Sequence, residues 1–244
     1  MKNFLITIAA IISLPITLPT AAFLLLRYAA LRTQYILFIL KNKEITGAPL
    51  IAEEHWKLQE GPTCAIEAQR IILAVFGVTK ETSDLSARQQ AYGKFKKNVG
   101  STSIKLLLDG YGISTQQMSE EEKSSNFTIW KHLHQGRLIL ATTNSYLLNN
   151  TDEFTPPNRP IHDHTIIITS LISTPKGTLA IYTDTGSFDG SLKAVYLKHL
   201  KESIRSGITL LTPKTPRRSP TSLENLLTHK KIICCPKCNG GGKN

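Results

Sequence analysis

Residues 59–77 of this chain read QEGPTCAIEAQRIILAVFG, and the fold predicted from the sequence depends on them. Thr63 can cap a helix, and Gly77 is typical of the position just after a helix C-terminus. Between them, apolar residues recur at helical spacing and form one broad face: Ile66, Ala68, Ile71, Ile72, Val75 and Phe76. We therefore predict a buried helix whose first turn contains Cys64.

The position of Cys64 in that helix favours a reactive thiol. Unpaired backbone N–H groups and the helix dipole at a helix N-terminus stabilise a thiolate over a thiol. Gln59 precedes the cysteine by five residues, and its side-chain amide could form an oxyanion hole with the Cys64 backbone N–H. The alternative is a structural cysteine, because Cys also packs as a small hydrophobic residue.

Two later stretches predict a β-hairpin that brings a histidine and a carboxylate together. His164 opens HTIIITSLI (164–172), a β-branched run that indicates a buried strand, and TLAIYTDTGS (178–187) indicates a second strand that ends near Asp184. Antiparallel pairing places the start of the first strand beside the end of the second. Asp184 could then fix one imidazole nitrogen of His164 and leave the other nitrogen free to face Cys64.

This order of residues resembles the papain-like cysteine peptidases, and the closest branch is the bacteriocin-processing type that cleaves after double-glycine leaders. The segments SIKLLLDGYGI (103–113) and SSNFTIWKHLHQGRLILATTN (124–144) also resemble the helices and strands that lie between the cysteine and the histidine in that branch. The resemblance covers roughly residues 53–212. It implies an α+β fold in which the cysteine helix packs on an antiparallel sheet that carries the histidine and the aspartate.

The resemblance also implies a set of candidate catalytic residues. Cys64 would be the nucleophile, and His164 would act first as general base and then as general acid. Asp184 would orient the imidazole, and Gln59 would stabilise the oxyanion. The default reaction is cleavage of a peptide or isopeptide bond, so a peptide or protein is the expected substrate. The same triad also supports deamidation and amide transfer, which the sequence does not separate.

The N-terminus is typical of a membrane segment. Residues 4–26 read FLITIAAIISLPITLPTAAFLLL without a charge, and 23 uncharged, mostly apolar residues are enough to cross a bilayer as a helix. A secretory signal has a shorter apolar stretch that ends in a small-residue cleavage site, whereas here the small residues 20–22 are followed by more apolar residues. We therefore expect an uncleaved anchor, with a secreted or periplasmic product as the alternative. A second apolar patch (35–40) either lies at the membrane interface or continues the helix. Basic residues after residue 26 predict a cytoplasmic domain in a bacterial cell.

The distribution of charge excludes a nucleic-acid partner. The chain has 244 residues and a net charge of +11, but residues 1–50 carry net +4, residues 214–244 carry net +6, and residues 51–213 carry only net +1. The central part therefore offers no basic face for a phosphate backbone. Four cysteines in this length also exclude a scaffold held together by many disulfides.

Three units are predicted: a membrane anchor with its juxtamembrane segment (1–44), a papain-like domain (45–212), and a basic, proline-rich linker with a cysteine-rich tail (213–244). Cys235 and Cys238 in the tail are spaced like half of a zinc ribbon, so zinc there is a secondary expectation. A zinc site normally has four ligands and this pair supplies two, so no cofactor is the main expectation.

The functional hypotheses come from three classes. The first is a membrane-anchored papain-like thiol hydrolase, most simply a cysteine peptidase. The second is a non-catalytic module that uses the same cleft to bind a peptide. The third is a membrane adaptor that acts through its cysteine-rich tail.

Overall fold

The computed structural model describes residues 2–47, 55–56, 64–95, 101–144, 163–185, 192–210 and 233–234. The helices are α1 (Lys2–Leu40), α2 (Cys64–Val75), α3 (Thr82–Phe95), α4 (Ser101–Gly110), α5 (Glu120–Ser124), α6 (Asn126–His134) and α7 (Leu197–Ser203). The strands are β1 (Ile45–Gly47), β2 (Thr115–Gln117), β3 (Ile139–Asn144), β4 (Asp163–Thr174), β5 (Gly177–Asp184), β6 (Leu192–Tyr196), β7 (Ile204–Leu210) and β8 (Ile233–Cys234).

These strands form one sheet in the order β2-β7-β3-β4-β5-β6-β8, with β1 also paired to β4. The pairings are antiparallel except that of β6 with β8, which is parallel. The predicted hairpin is confirmed as β4 and β5, in which Ile166 lies opposite Asp184. A continuous apolar run such as the one in β4 is typical of a strand with both of its faces covered.

Helices cover both faces of the sheet. Ile167 of β4 packs in a core with residues of α2, α3 and α4, whereas its neighbours Ile166 and Ile168 pack in a second core with α6 and α7. Successive side chains of a strand point to opposite faces, which explains this alternation. The expected α+β architecture is confirmed: the helix that begins at Cys64 packs on β4, the strand that carries His164, and β4 is paired antiparallel with β5, which carries Asp184.

The sequence also predicts correctly how α2 ends and which face it buries. The backbone N–H of Gly77 donates to the Ala74 carbonyl, and that of Val78 donates to the Leu73 carbonyl, which is a Schellman motif. Gly77 has a φ of 80°, the left-handed conformation that favours glycine at this position. The predicted apolar face is buried at Ile66, Ala68, Ile71 and Ile72.

Gly47 at the end of β1 is required by a close backbone approach. Its φ is 101°, and a Cβ atom there would lie 2.2 Å from the Thr169 carbonyl oxygen. We expect Gly47→Ala to destabilise the fold by about 2–4 kcal/mol, because it adds backbone strain and a clash with β4. Gly77→Ala is the matched control: it has a similar positive φ but no atom within 4 Å of its Cβ position. Thermal unfolding in detergent measures both, and equal losses of stability would contradict the clash.

α1 is one continuous helix of 39 residues that contains both apolar segments of the N-terminus. The patch at 35–40 therefore continues the first helix, which is one of the two alternatives that the sequence left open. The segment Pro19–Leu40 is long and apolar enough to cross a membrane, a criterion that a signal sequence near an N-terminus also meets. The predicted anchor at residues 4–26 overlaps this segment.

The C-terminal half of α1 packs against α6 through aromatic side chains. Tyr35 and Phe38 lie with ring centroids 5.4 and 6.3 Å from that of Trp130, and the Arg32 guanidinium lies 4.0 Å from the centre of the Phe127 ring. Phe38 is buried in the same core as the α6 side chains. Aromatic and cation–π contacts of this kind add to the free energy of burial, so this half of α1 is part of the domain's core.

The described residues of the predicted tail belong to the sheet. Residues 233–234 form β8, whose backbone pairs with β6 at Lys193 and Ala194. The predicted boundaries at 44/45 and 212/213 stay predictions, because the linker lies mostly outside the described residues. Cys235 and Cys238 lie outside them too.

Candidate active site

His164 and Asp184 form a hydrogen-bonded pair at the open end of the β4–β5 hairpin. The distance from His164 Nε2 to Asp184 Oδ1 is 2.6 Å, which is short even for a hydrogen bond between charged groups. The two side chains are only 14% and 4% exposed. The antiparallel register causes this contact, because Asp184 lies opposite Ile166, two residues from His164 and on the same face of the sheet.

Cys64 lies against the other side of the same imidazole. It is the first residue of α2 and is half-buried, and its sulfur is hydrogen-bonded to the His164 side chain and to the backbone and side chain of Thr165. Since Nε2 of the imidazole donates to Asp184, Nδ1 is the nitrogen left for the thiol. The structure thus brings together three of the four candidate residues, while Gln59 lies outside the described residues.

Each group in this chain of contacts changes the protonation of the next. Burial raises the pKa of the Cys64 thiol, but hydrogen bonds from His164 and Thr165 and the imidazolium charge outweigh burial and place the pKa below its ordinary value. Burial alone lowers the pKa of His164, yet hydrogen bonds and charges from Asp184 and Cys64 raise it to about 9. A lowered thiol pKa and a raised imidazole pKa both favour a thiolate–imidazolium pair.

The Asp184 carboxylate stays ionised although it is buried. Burial raises its pKa, but the hydrogen bonds and charges of His164 and Lys193 hold the pKa well below its usual range. The Lys193 ammonium is 2.9 Å from Oδ2, the oxygen that His164 does not use. The sequence analysis missed Lys193. No local signal could have found it, because the register of β6 against β5 depends on the connection between them.

Trp56 is a second neighbour of the site that sequence reasoning missed. Its indole N–H donates to the Asp184 carbonyl oxygen at 3.0 Å, and the side chain is partly buried. The backbone of the preceding residue, His55, is also fixed, because Arg70 Nη2 donates to the His55 carbonyl oxygen at 2.9 Å. Arg70 in turn pairs with the buried Glu67 at 2.7 Å. Through these contacts α2 holds residues 55–56 beside the end of β5.

A metal centre has no support in the described part of the chain. Within the residues that the structure describes, there is no group of three or more His, Cys, Asp or Glu side chains that could hold a metal ion. The secondary expectation of zinc at Cys235 and Cys238 concerns residues outside those ranges and stays a prediction.

No protein-family model and no curated protein matches this chain. Among similar solved structures, a double glycine motif protease from an AMS/PCAT transporter, in complex with the leader peptide, is 12% identical with a TM-score of 0.43, covering 65% of this chain and 90% of the protease. The peptidase domain of Streptococcus ComA, a bi-functional ABC transporter involved in quorum sensing, is 8% identical with a TM-score of 0.44, covering 65% of this chain and 96% of that domain.

The structural neighbours are double-glycine peptidase domains. The family that the sequence motifs resemble has the same type of peptidase domain. With identities of 12% and 8% and TM-scores of 0.43 and 0.44, this likeness carries no argument about the chemistry of individual residues. The roles of Cys64, His164 and Asp184 therefore rest on the contacts within this chain.

Proposed function

We propose that this protein is a membrane-bound cysteine peptidase in which Cys64 is the nucleophile and His164 is the general acid and base. One observation carries the proposal: the Cys64 thiol is hydrogen-bonded to an imidazole whose other nitrogen donates to a buried carboxylate at 2.6 Å. A nucleophile, a base and an orienting group in this order are the requirement for acyl transfer through a covalent intermediate.

The proposed reaction begins with attack of the Cys64 thiolate on the carbonyl carbon of the scissile bond. The carbonyl π bond becomes an oxyanion, and the proposed donor that stabilises it is the Cys64 backbone N–H, which lies at the start of α2. As the oxyanion collapses, the His164 imidazolium gives its proton to the leaving nitrogen, the C–N bond breaks and a thioester forms. Neutral His164 then takes a proton from water, which attacks the thioester and releases the acid and the thiolate.

Asp184 and Gln59 have supporting roles in the proposal. Asp184 accepts from Nε2 and thereby keeps Nδ1 directed at the sulfur through each proton transfer. Gln59 is proposed as a second oxyanion donor, as the sequence resemblance implies. A peptide or protein substrate also follows from that resemblance. Peptidase, deamidase and amide transferase share these steps and differ in which bond is presented and in what attacks the thioester.

Attachment to the membrane through α1 is part of the proposal. Its support is the uncharged run at residues 4–26 and the exposed apolar side chains further along the helix, which include Phe23, Leu25 and Leu40. The cytoplasmic side is proposed from the basic residues that follow residue 26. Labelling of Cys238 by an impermeant thiol reagent in intact cells would contradict that orientation.

The thiolate can be tested without knowing the substrate. We expect iodoacetamide at pH 6.5 to alkylate Cys64 at least about tenfold faster than the tail cysteines, since an ordinary thiol with a pKa near 8.5 is only about 1% ionised there. Mass spectrometry of each cysteine-containing peptide measures both rates in one sample. Cys64→Ala removes the fast phase and is the control for assignment. If Cys64 reacts no faster than the tail cysteines, the peptide-binding module takes the place of the enzyme.

A further inference from the structure

Lys193 reaches the buried carboxylate from a third strand. It lies in β6 opposite Tyr182 of β5, and Tyr182 is two residues before Asp184 on the same face of the sheet. Lys193 and Asp184 are therefore diagonal cross-strand neighbours, a spacing that long side chains can bridge. The Lys193 ammonium lies 2.9 Å from Asp184 Oδ2, and the two side chains are 22% and 4% exposed.

The two oxygens of the carboxylate are divided between two donors. Oδ1 accepts from His164 Nε2 and Oδ2 accepts from Lys193 Nζ, so rotation of the carboxylate about its Cβ–Cγ bond would break both hydrogen bonds. The second donor thus fixes the plane in which the first hydrogen bond is made.

We propose that Lys193 is a positioning residue of this site, which holds Asp184 toward His164 and limits how strongly the carboxylate retains the imidazolium proton. This inference rests on the proposed function of the same site. The charged groups in the cluster are the Cys64 thiolate from α2, the His164 imidazolium from β4, Asp184 from β5 and Lys193 from β6. Together they carry two negative and two positive charges, so the resting cluster is neutral.

The net charge of this cluster affects how easily His164 gives up its proton. Without Lys193, a cluster of net charge −1 would hold the imidazolium proton more tightly, because the repulsion between two nearby cations is removed. His164 must give up that proton to the leaving nitrogen, so a tighter hold slows the first half of the reaction. The pKa of His164, which Asp184 and Cys64 already raise to about 9, would rise further without the lysine.

The charge on His164 can be read from Cys64 with two alkylating agents. Iodoacetate is an anion that the imidazolium attracts, whereas iodoacetamide is neutral, so the ratio of their rates falls as His164 loses its proton. We expect Lys193→Met to move the midpoint of this fall to higher pH by about one unit. Lys193→Arg should keep the wild-type midpoint. Lys198→Met, which removes an exposed lysine on α7, is the matched control and should also leave it unchanged.

A second variant separates charge from hydrogen bonding. Lys193→Gln keeps a donor for Oδ2 without the charge, so its midpoint should move as in Lys193→Met while its unfolding temperature stays closer to that of the wild type. Wild-type midpoints in both Lys193→Met and Lys193→Gln would overturn the positioning role and leave the proposed function standing. If the wild-type protein shows no pH transition in the ratio, the thiolate–imidazolium pair is absent and the proposed function fails instead.

Discussion

Cys64→Ser is expected to reduce peptide hydrolysis by roughly a thousandfold or more, the scale on which loss of a nucleophile usually acts. Serine is nearly isosteric with cysteine, but its hydroxyl has a far higher pKa than a thiol. His164 and Thr165 stabilise the Cys64 thiolate, but the same contacts are therefore not enough to ionise a serine hydroxyl at this position. The assay is turnover of a fluorogenic peptide library that includes double-glycine sequences.

Two controls make the Cys64→Ser result specific. Cys238→Ser changes a cysteine of the tail and should keep wild-type turnover, because the proposed chemistry does not use it. The unfolding temperature of Cys64→Ser should stay near that of the wild type, since the half-buried site accepts a hydroxyl of similar size. Turnover by Cys64→Ser at the wild-type rate would show that another group carries the reaction.

His164→Gln is expected to have an effect of similar size on turnover and a second effect on the thiol. The amide of glutamine can still donate to Asp184, but it neither carries a proton to the leaving group nor provides a positive charge beside the sulfur. The pKa of Cys64 should then rise, because the hydrogen bond and charge of His164 are main causes of its lowering. The pH midpoint of iodoacetamide alkylation measures this rise.

The thiolate–imidazolium pair also predicts how the turnover of the wild-type enzyme depends on pH. Turnover should increase on the acid side as Cys64 ionises below its ordinary pKa. It should decrease on the alkaline side near pH 9, where the raised pKa of His164 places the loss of the imidazolium proton. His199→Ala, on α7, is the matched control and should keep both limbs of the profile. A His164→Gln thiol that still titrates as in the wild type would contradict the ion pair.

The sequence correctly predicted which residues lie close together in the site where their positions follow from local patterns. The start of α2 at Cys64 follows from Thr63 as a capping residue and from helical periodicity, and its end follows from Gly77. The contact between His164 and Asp184 follows from a hairpin, in which antiparallel pairing and a short turn fix the register. Packing of α2 on β4 then brings the cysteine to the histidine, because each element has an apolar face that must be buried.

Other parts of the site depend on contacts between distant segments and leave no local signal. Lys193 meets Asp184 only through the register of β6, and Trp56 reaches the Asp184 carbonyl across a sequence separation of 128 residues. The hydrogen bond from Arg70 to the His55 carbonyl likewise joins a helix to a segment without periodicity. Such pairings depend on the assembled sheet, and a pattern read along the chain does not contain them.

The packing of α1 on the domain would fix the distance between the cysteine sulfur and the membrane in the proposed enzyme. At 1.5 Å per residue, a helix of 39 residues is about 58 Å long, roughly twice the hydrocarbon thickness of a bilayer. Its C-terminal half is packed on α6 and is not a flexible tether, so in the proposed membrane-bound enzyme the cysteine sulfur would stay at a nearly constant height above the lipid. Such an enzyme searches for its substrates by lateral diffusion in two dimensions. Among substrates anchored in the same membrane, it selects those whose scissile bond lies at that height.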